Sequence, residues 1–287
     1  MSDEMVQLDV DGSVATLTLH RPEQLNAFNR QLHRETIAAF DRIDEDDDIR
    51  VVIVTGSGRA FSAGADVSRG GETFAGSNRL TESTDYAIPR DGGGELALRI
   101  FECLKPVIGA VNGAAVGMGV TMTLPMDMRL ASETARFSFV FGRRGLVTEG
   151  ASSWFLPRLV GMNTALEWTL TGRFVSASEA LAAGFVRSVH PPEELLPAAR
   201  ALALEIAENV APVSASLTRH MLWRLSAAPH PMDAHRIDSQ AIFYRGKHDD
   251  TREGVTAFLE KRPPAFPGRV STDMPPFFPW WDEPRYH

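Results

Sequence analysis

The sequence predicts an α/β protein, and the prediction depends on two repeated units and on a contrast between the halves of the chain. The short apolar runs Val51 to Val54 and Val107 to Val111 have the pattern of buried strands. Each is followed by a loop of small residues and then by a helical segment. The second half has mostly helical spacing. Recurring strand, loop and helix units favour a sheet with helices packed on it.

The elements of the first half follow from local patterns. Apolar and polar residues alternate from Val6 to Leu19 around the turn residues Asp11-Gly12, which predicts a β-hairpin. Amphipathic spacing predicts helices over Asn29 to Ile43 and over Glu95 to Leu104. Residues 68 to 94 are polar and rich in glycine, and we expect them to form a mobile loop.

Helices dominate the predicted second half. Residues 195 to 210 carry an apolar stripe at helical spacing, and further helices are predicted over 212 to 224, 233 to 246 and 251 to 260. The stripe consists of Leu195, Ala199, Leu202, Ile206 and Val210. Residues 262 to 287 hold seven prolines and six aromatic residues, so we expect this tail to pack on its own domain or on a neighbouring subunit.

The charge balance restricts the class of partner. The chain has 37 acidic and 29 basic residues, a net charge of −8, which argues against nucleic acid as a ligand. The single cysteine, Cys103, excludes an intrachain disulfide and fits a cytoplasmic location. The N-terminus has no signal-peptide pattern. Pro106 to Met126 is 21 residues long without a charge, but its prolines, glycines and polar residues argue against a membrane helix.

Several motif interpretations fail on the residues present. Ala60 to Gly64 resembles a nucleophile elbow but lacks its first glycine, and Gly117-Met118-Gly119 lacks the third glycine of a dinucleotide fingerprint. His230 and His235 are five residues apart with a proline between them, which is a poor spacing for a metal pair. The acidic run from Asp44 to Asp48 is typical of a solvated helix end. We therefore predict no metal site.

The two small-residue loops have a chemical interpretation when they are taken together. Residues 56 to 66 and 112 to 119 each follow a buried strand and would expose backbone N–H groups. Two such donors aimed at a carbonyl oxygen form an oxyanion hole, which stabilises the charge that develops when a neighbouring C–H is deprotonated. Small residues allow the backbone itself to approach a substrate. The other interpretation, a pair of tight turns between strand and helix, stays open for either loop alone.

Several motifs in order resemble the enoyl-CoA hydratase/isomerase, or crotonase, superfamily. They are Arg21-Pro22 to Asn26-Ala27, the stretch Ala60 to Asp66, Lys105 to Gly117, Leu170 to Arg173, Ala180 to Val186, and Glu253 to Arg262. The likeness covers residues 6 to 265. It implies a spiral of ββα units with a C-terminal helical trimerisation region. We expect a core over 1–200, an oligomerisation region over 201–262 and a tail over 263–287.

The resemblance also implies a ligand and its contacts. The ligand would be an acyl-CoA thioester, with coenzyme A as part of the substrate and no separate cofactor, and the assembly would be a homotrimer or a hexamer. The N–H groups of Ala65 and Met118 would hold the enolate; the family usually has glycine where Met118 stands. The residues expected beside coenzyme A are Ala27, Ala63, Asp66, Val67, Phe258 and Lys261.

The catalytic acids depart from the family pattern. Thr121 and Phe141 occupy the positions of the two hydratase glutamates, and neither can transfer a proton. Gly145 to Gly150 instead resembles the stretch of Δ3,Δ2-enoyl-CoA isomerases that carries their glutamate, which makes Glu149 the expected acid/base. Aromatic residues nearby in sequence would raise its pKa. A second interpretation of Glu149 is a cap on the helix that follows.

The favoured prediction is therefore isomerisation of an enoyl-CoA with Glu149 as general acid/base. Hydration with an unusual acid/base set, or another enolate reaction such as carbon–carbon bond hydrolysis, could use the same amides. A non-catalytic acyl-CoA-binding scaffold is the alternative from a different class, because both hydratase glutamates are missing.

Overall fold

The computed structural model describes residues 4–74 and 88–286, in which ten strands form two sheets. The strands are β1 (Val6–Asp11), β2 (Val14–Leu19), β3 (Val51–Gly56), β4 (Ala60–Ser62), β5 (Val107–Val111), β6 (Ala114–Val116), β7 (Met128–Ser132), β8 (Arg136–Ser138), β9 (Val175–Ser176) and β10 (Ser188–His190). The helices are α1 (Arg30–Glu45), α2 (Gly92–Glu102), α3 (Met118–Thr121), α4 (Ser152–Val160), α5 (Met162–Thr171), α6 (Ala177–Ala182), α7 (Leu195–Asn209), α8 (Pro212–Leu225), α9 (Pro231–Arg245), α10 (Asp249–Glu260) and α11 (Val270–Asp273).

The chain alternates between the two sheets. The larger sheet has the order β1-β2-β3-β5-β7-β10 and the smaller sheet the order β4-β6-β8-β9. Apart from the hairpin β1-β2 and the pair β8-β9, neighbouring strands are parallel. A unit recurs three times, in the consecutive pairs β3-β4, β5-β6 and β7-β8. The first strand of each pair lies in the larger sheet, the second lies in the smaller sheet, and a helix follows the pair. This repeat confirms the α/β class and the ββα units, whereas trimerisation stays a prediction.

Local patterns predicted β1, β2, β3, β5, α1, α2 and the helices α7 to α10, but not the short strands β7 to β10 or the helices α5, α6 and α11. The hairpin pairs Val6 with Leu19 and Asp11 with Val14, and Asn29 caps α1 through a hydrogen bond from the Leu32 N–H. The prediction that residues 112 to 119 form only a loop was wrong, because β6 and the start of α3 lie within it. Likewise β4 lies within the first small-residue loop. Such three-residue strands carry too few side chains for a period-two pattern to reveal them.

The structure corrects two predictions, the buried face of α7 and the start of α2. In α7 the buried positions are Leu195, Ala199, Ala203 and Ala207, which pack on the large sheet, while Leu202 and Ile206 are only partly buried and Val210 is exposed. Alanines at four-residue intervals let the helix approach the strands closely. Helix α2 begins at Gly92, three residues before the predicted start. Part of the predicted mobile loop over 68 to 94, namely residues 75–87, lies outside the described residues.

The C-terminal tail packs on its own chain. His220 of α8 packs against Phe278 and Trp281, with ring centroids 5.4 and 5.5 Å away, and the Tyr286 hydroxyl donates to the Pro89 carbonyl at 3.3 Å. The proposed division into three regions remains a prediction. The uncharged run from 106 to 126 divides into β5, β6 and α3, and no helix in the described parts of the chain is long and apolar enough to cross a membrane.

Candidate active site

Glycines let the two small-residue loops touch. A β-carbon placed on Gly64 would lie 2.5 Å from the Val116 carbonyl oxygen and 3.4 Å from the Met118 nitrogen. One placed on Gly119 would lie 2.3 Å from the Ser62 carbonyl oxygen. Both distances to oxygen are shorter than any real contact of a β-carbon, so a side chain at either glycine would force the loops apart. The absence of a side chain at Gly64 and Gly119 therefore allows the ends of β4 and β6 to pack together.

The predicted donor amides lie on these two loops. Met118 is the first residue of α3, so its N–H has no partner within the helix. Ala65 follows Gly64 in a short bridge with Phe28, in which Phe28 donates to the Gly64 carbonyl and Asp66 donates to the Phe28 carbonyl. In residues 4–74 and 88–286, no protein acceptor takes the N–H of Ala65 or of Met118. Two free amides on touching loops match the donors of an oxyanion hole.

The Glu149 carboxyl group is hydrogen-bonded to α3, the short helix that also carries the Met118 amide. Thr121, the last residue of α3, donates from Oγ1 to Glu149 Oε1 at 2.6 Å. The side chain of Glu149 does not cap α4; instead its backbone carbonyl accepts from the N–H of Ser152 at 3.0 Å and from its hydroxyl at 2.6 Å. The carboxyl group is therefore available for chemistry.

The electrostatic setting of Glu149 suits proton transfer. The pKa of this half-buried carboxyl group is raised to about 8. Burial is the largest cause, the Thr121 hydrogen bond opposes the rise, and the neighbouring Asp91 adds to it. The direction agrees with the rise expected from the sequence, and burial is its main cause. A carboxyl group with a pKa near neutrality can both accept and return a proton at physiological pH.

Asp91 is a neighbour of Glu149 that the sequence interpretation missed. It lies in the segment predicted as a loop, where it caps α2 by accepting the Gly94 N–H at 2.6 Å, and it also accepts the Gly150 N–H at 3.3 Å. The available signal was an Asp before three glycines and a helical pattern, which is a typical helix start. Its proximity to Glu149, by contrast, depends on the tertiary structure.

Four of the six residues expected beside coenzyme A lie around the first loop. Arg21 donates to the Ala27 carbonyl at 2.9 Å and forms a 2.7 Å ion pair with Asp66, while the Ala63 N–H donates to the Leu25 carbonyl. Val67, the next residue, is exposed. Together these contacts give the loop one fixed shape beside Ala65.

The other two expected residues lie apart from this loop. Phe258 is 80% exposed near the end of α10, and Lys261 follows in a left-handed conformation with its N–H donating to the Phe258 carbonyl. No hydrogen bond or ion pair given for the described residues joins either of them to the first loop. Their contact with coenzyme A stays a prediction. His230 caps α9, with Nδ1 accepting the Met232 N–H at 3.1 Å.

Among the described residues, the N–H groups of Ala65 and Met118 have no protein acceptor and lie on two touching loops, and Thr121 at the end of α3 holds the Glu149 carboxyl group. Groups of these kinds can serve acid/base chemistry beside a carbonyl group. The chain belongs to the enoyl-CoA hydratase/isomerase family, whose model matches residues 9–269. It is an enzyme of this hydratase/isomerase type with a crotonase fold.

Relatives and a solved structure match most of the chain. An enoyl-CoA hydratase of Alternaria alternata is 40% identical over 260 residues, which cover 90% of this chain and 84% of the relative. The 1,2-epoxyphenylacetyl-CoA isomerase of Escherichia coli (strain K12) is 34% identical, with 93% and 99% covered. The crystal structure of an enoyl-CoA hydratase from Bacillus anthracis superposes with a TM-score of 0.80 at 29% identity, with 92% and 100% covered.

Proposed function

We propose that this enzyme moves the double bond of a 3-enoyl-CoA to the conjugated 2-position, with Glu149 as the acid/base. The observation that carries the proposal is the Glu149 carboxyl group fixed to α3 by Thr121, at a site where the two hydratase positions hold Thr121 and the buried Phe141. One carboxyl group is sufficient for this reaction, because the proton it removes is the proton it returns.

The steps follow from the groups present. The Glu149 carboxylate takes a proton from C2 of the thioester, and the electron pair moves into the carbonyl to give a dienolate. The N–H groups of Ala65 and Met118 stabilise the oxygen of the dienolate. Protonated Glu149 then returns the proton to C4. Because Glu149 must be ionised to act as the base, kcat/KM should rise with pH until about 8.

The test follows formation of the conjugated thioester from a 3-enoyl-CoA. We expect wild-type protein to produce the 2-enoyl-CoA and Glu149→Gln to lose about 10³-fold in kcat, because the amide cannot accept the proton. Glu133→Gln, at the turn after β7, is the control and should keep full activity. Full activity of Glu149→Gln would refute the role of Glu149.

Hydration is the second candidate, and the specific observation in its favour is the name of the Alternaria relative. Hydration would need a water at C3 activated by Glu149 and a proton returned to C2. Incubating the protein with a 2-enoyl-CoA distinguishes the two reactions, since a hydratase removes the conjugated absorbance and an isomerase leaves most of it. Rapid loss of that absorbance with no turnover of the 3-enoyl-CoA would replace isomerisation by hydration.

A further inference from the structure

We propose that Asp91 is a positioning residue for Glu149: its carboxylate accepts a hydrogen bond from the protonated Glu149 and holds the proton there between the two transfer steps. The inference rests on the proposed function of Glu149. It concerns a residue on a different element, 58 positions away in sequence, that the isomerisation mechanism above does not use.

The two carboxyl groups border the same glycine. A β-carbon placed on Gly93 would lie 1.5 Å from Oε2 of Glu149 and 3.2 Å from Oδ1 of Asp91. Glu149 Oε1 is taken by the Thr121 hydroxyl, so the oxygen turned towards Asp91 is the second one. Oε2 of Glu149 and Oδ1 of Asp91 therefore lie close to each other beside Gly93. A carboxylate can only accept a hydrogen bond, so one of the two groups must carry a proton to bond to the other. The raised pKa of Glu149 favours Glu149 as that group.

The backbone fixes Asp91 in this place from two sides. Its Oδ1 accepts from the N–H of Gly94 at the start of α2 and from the N–H of Gly150, the residue after Glu149. Gly93 leaves the space that the Glu149 carboxyl group occupies, because any side chain there would overlap it. Asp91 therefore bridges the start of α2 and the segment that carries Glu149.

Other charged groups near this pair are arranged around Glu95. His33 of α1 makes a 2.8 Å hydrogen bond to the Gly92 carbonyl and lies 3.9 Å from a Glu95 oxygen, and burial lowers the pKa of His33, so it is neutral at pH 7. Arg90 lies 4.0 Å from the other Glu95 oxygen. Among the described residues, Asp91 is the charged group that acts on Glu149.

The chemical consequence concerns the interval between proton removal and return. A proton taken from C2 would sit on Glu149 and be hydrogen-bonded to Asp91, whose negative charge makes Glu149 a better proton acceptor. Asp91 is exposed on its outer side, so solvent screening limits the size of this effect. No proton is transferred to Asp91, and the substrate proton goes from C2 to Glu149 and then to C4.

The test compares Asp91→Asn with Glu95→Gln. Asn is a good helix cap, so Asp91→Asn removes the charge and keeps the acceptor for the Gly94 N–H. Glu95→Gln removes the same charge from the same turn of α2 and is the matched control. The Glu149 carboxyl carbon is followed by ¹³C NMR against pH in the free protein, with its signal assigned from its loss in Glu149→Gln.

We expect Asp91→Asn to lower the titration midpoint of Glu149 by about one pH unit and Glu95→Gln to change it little. The pH profile of kcat/KM should move in the same direction in Asp91→Asn. An unchanged midpoint would overturn the proposal and leave Asp91 as a helix cap. A lowered midpoint without any isomerase activity would retain the carboxyl pair and refute the proposed function instead.

A second measurement needs no variant at position 91. In wild-type protein the ¹³C signal of the Asp91 carboxyl carbon should shift as Glu149 titrates, because Asp91 accepts the hydrogen bond of protonated Glu149. An Asp91 signal that does not move while Glu149 titrates would overturn the proposal even if Asp91→Asn failed to fold.

Discussion

The Thr121 hydroxyl donates a 2.6 Å hydrogen bond to Oε1 of Glu149, which joins the Glu149 carboxyl group to the four-residue helix that begins with Met118. Threonine stands here where the family's hydratases have a glutamate. Position 121 thus keeps a polar contact, to Glu149, but has no carboxyl group that could transfer a proton. This exchange is consistent with the proposed use of Glu149 as a single acid/base.

Replacing Thr121 by valine should impair the base. Thr121→Val removes the hydrogen bond that lowers the pKa of Glu149, so the pKa should rise above its present value of about 8. At pH near neutrality we expect kcat/KM to fall by about tenfold to a hundredfold, as for the loss of a hydrogen bond to a charged group. Thr121→Ser keeps the hydroxyl and should stay within a few-fold of wild type. Equal activities at every pH would contradict the role of the bond.

Adding a methyl group at Gly93 should displace the Glu149 carboxyl group. The new β-carbon would lie 1.5 Å from Oε2, so the side chain must move. We expect Gly93→Ala to lose about 10²-fold in kcat, the effect of misplacing a catalytic group by about 1 Å. The control is Gly142→Ala, whose β-carbon would meet its nearest neighbour, the Thr169 carbonyl oxygen, at 3.8 Å. Similar losses in both variants would point to general damage rather than displacement.

The raised pKa of Glu149 should also affect stability. Between the ordinary value of 4.5 and the folded value of about 8, the folded protein binds the proton more tightly than the unfolded chain, so this group reduces stability as pH rises through that window. The glutamine of Glu149→Gln does not ionise, so it causes no fall in folding stability over this pH window. From about pH 5.5 to about pH 9 we expect the variant to gain on the order of 2 kcal/mol relative to wild type in urea unfolding. A pH-independent difference between the two proteins would contradict the raised pKa.

The helices after α7 should form a subunit interface. Large apolar side chains on α9 and α10 are exposed in the single chain, including Ile242 at 76% and Leu259 at 72%. Such a surface favours burial against further copies of the chain. Light scattering should give a mass of three or six chains, and Ile242→Asp should shift it towards the monomer. Asp238→Asn, on the same helix, is a control expected to leave the mass unchanged. A wild-type monomer at micromolar concentration would exclude the trimer.

The sequence by itself determined the features that depend on neighbouring residues. Hairpin turn, helix caps and buried strands follow from local steric and hydrogen-bonding preferences, which is why β1, β2, α1 and β5 lie close to where they were predicted. The small residues of the two loops predicted that the backbone approaches a substrate, which stays a prediction. The packing shows that Gly64 and Gly119 let the two loops touch each other.

Only the tertiary structure decided which distant groups meet. Asp91 and Glu149 come from different elements, and their contact exists because α2, α3 and the segment before α4 converge around Gly93 and Gly150. A local pattern describes propensity and burial, but a pKa depends on desolvation and on charges that other elements bring. For the same reason the sequence alone predicted Glu149 as the acid/base, which stays a prediction, whereas only the fold placed Thr121 and Asp91 beside it.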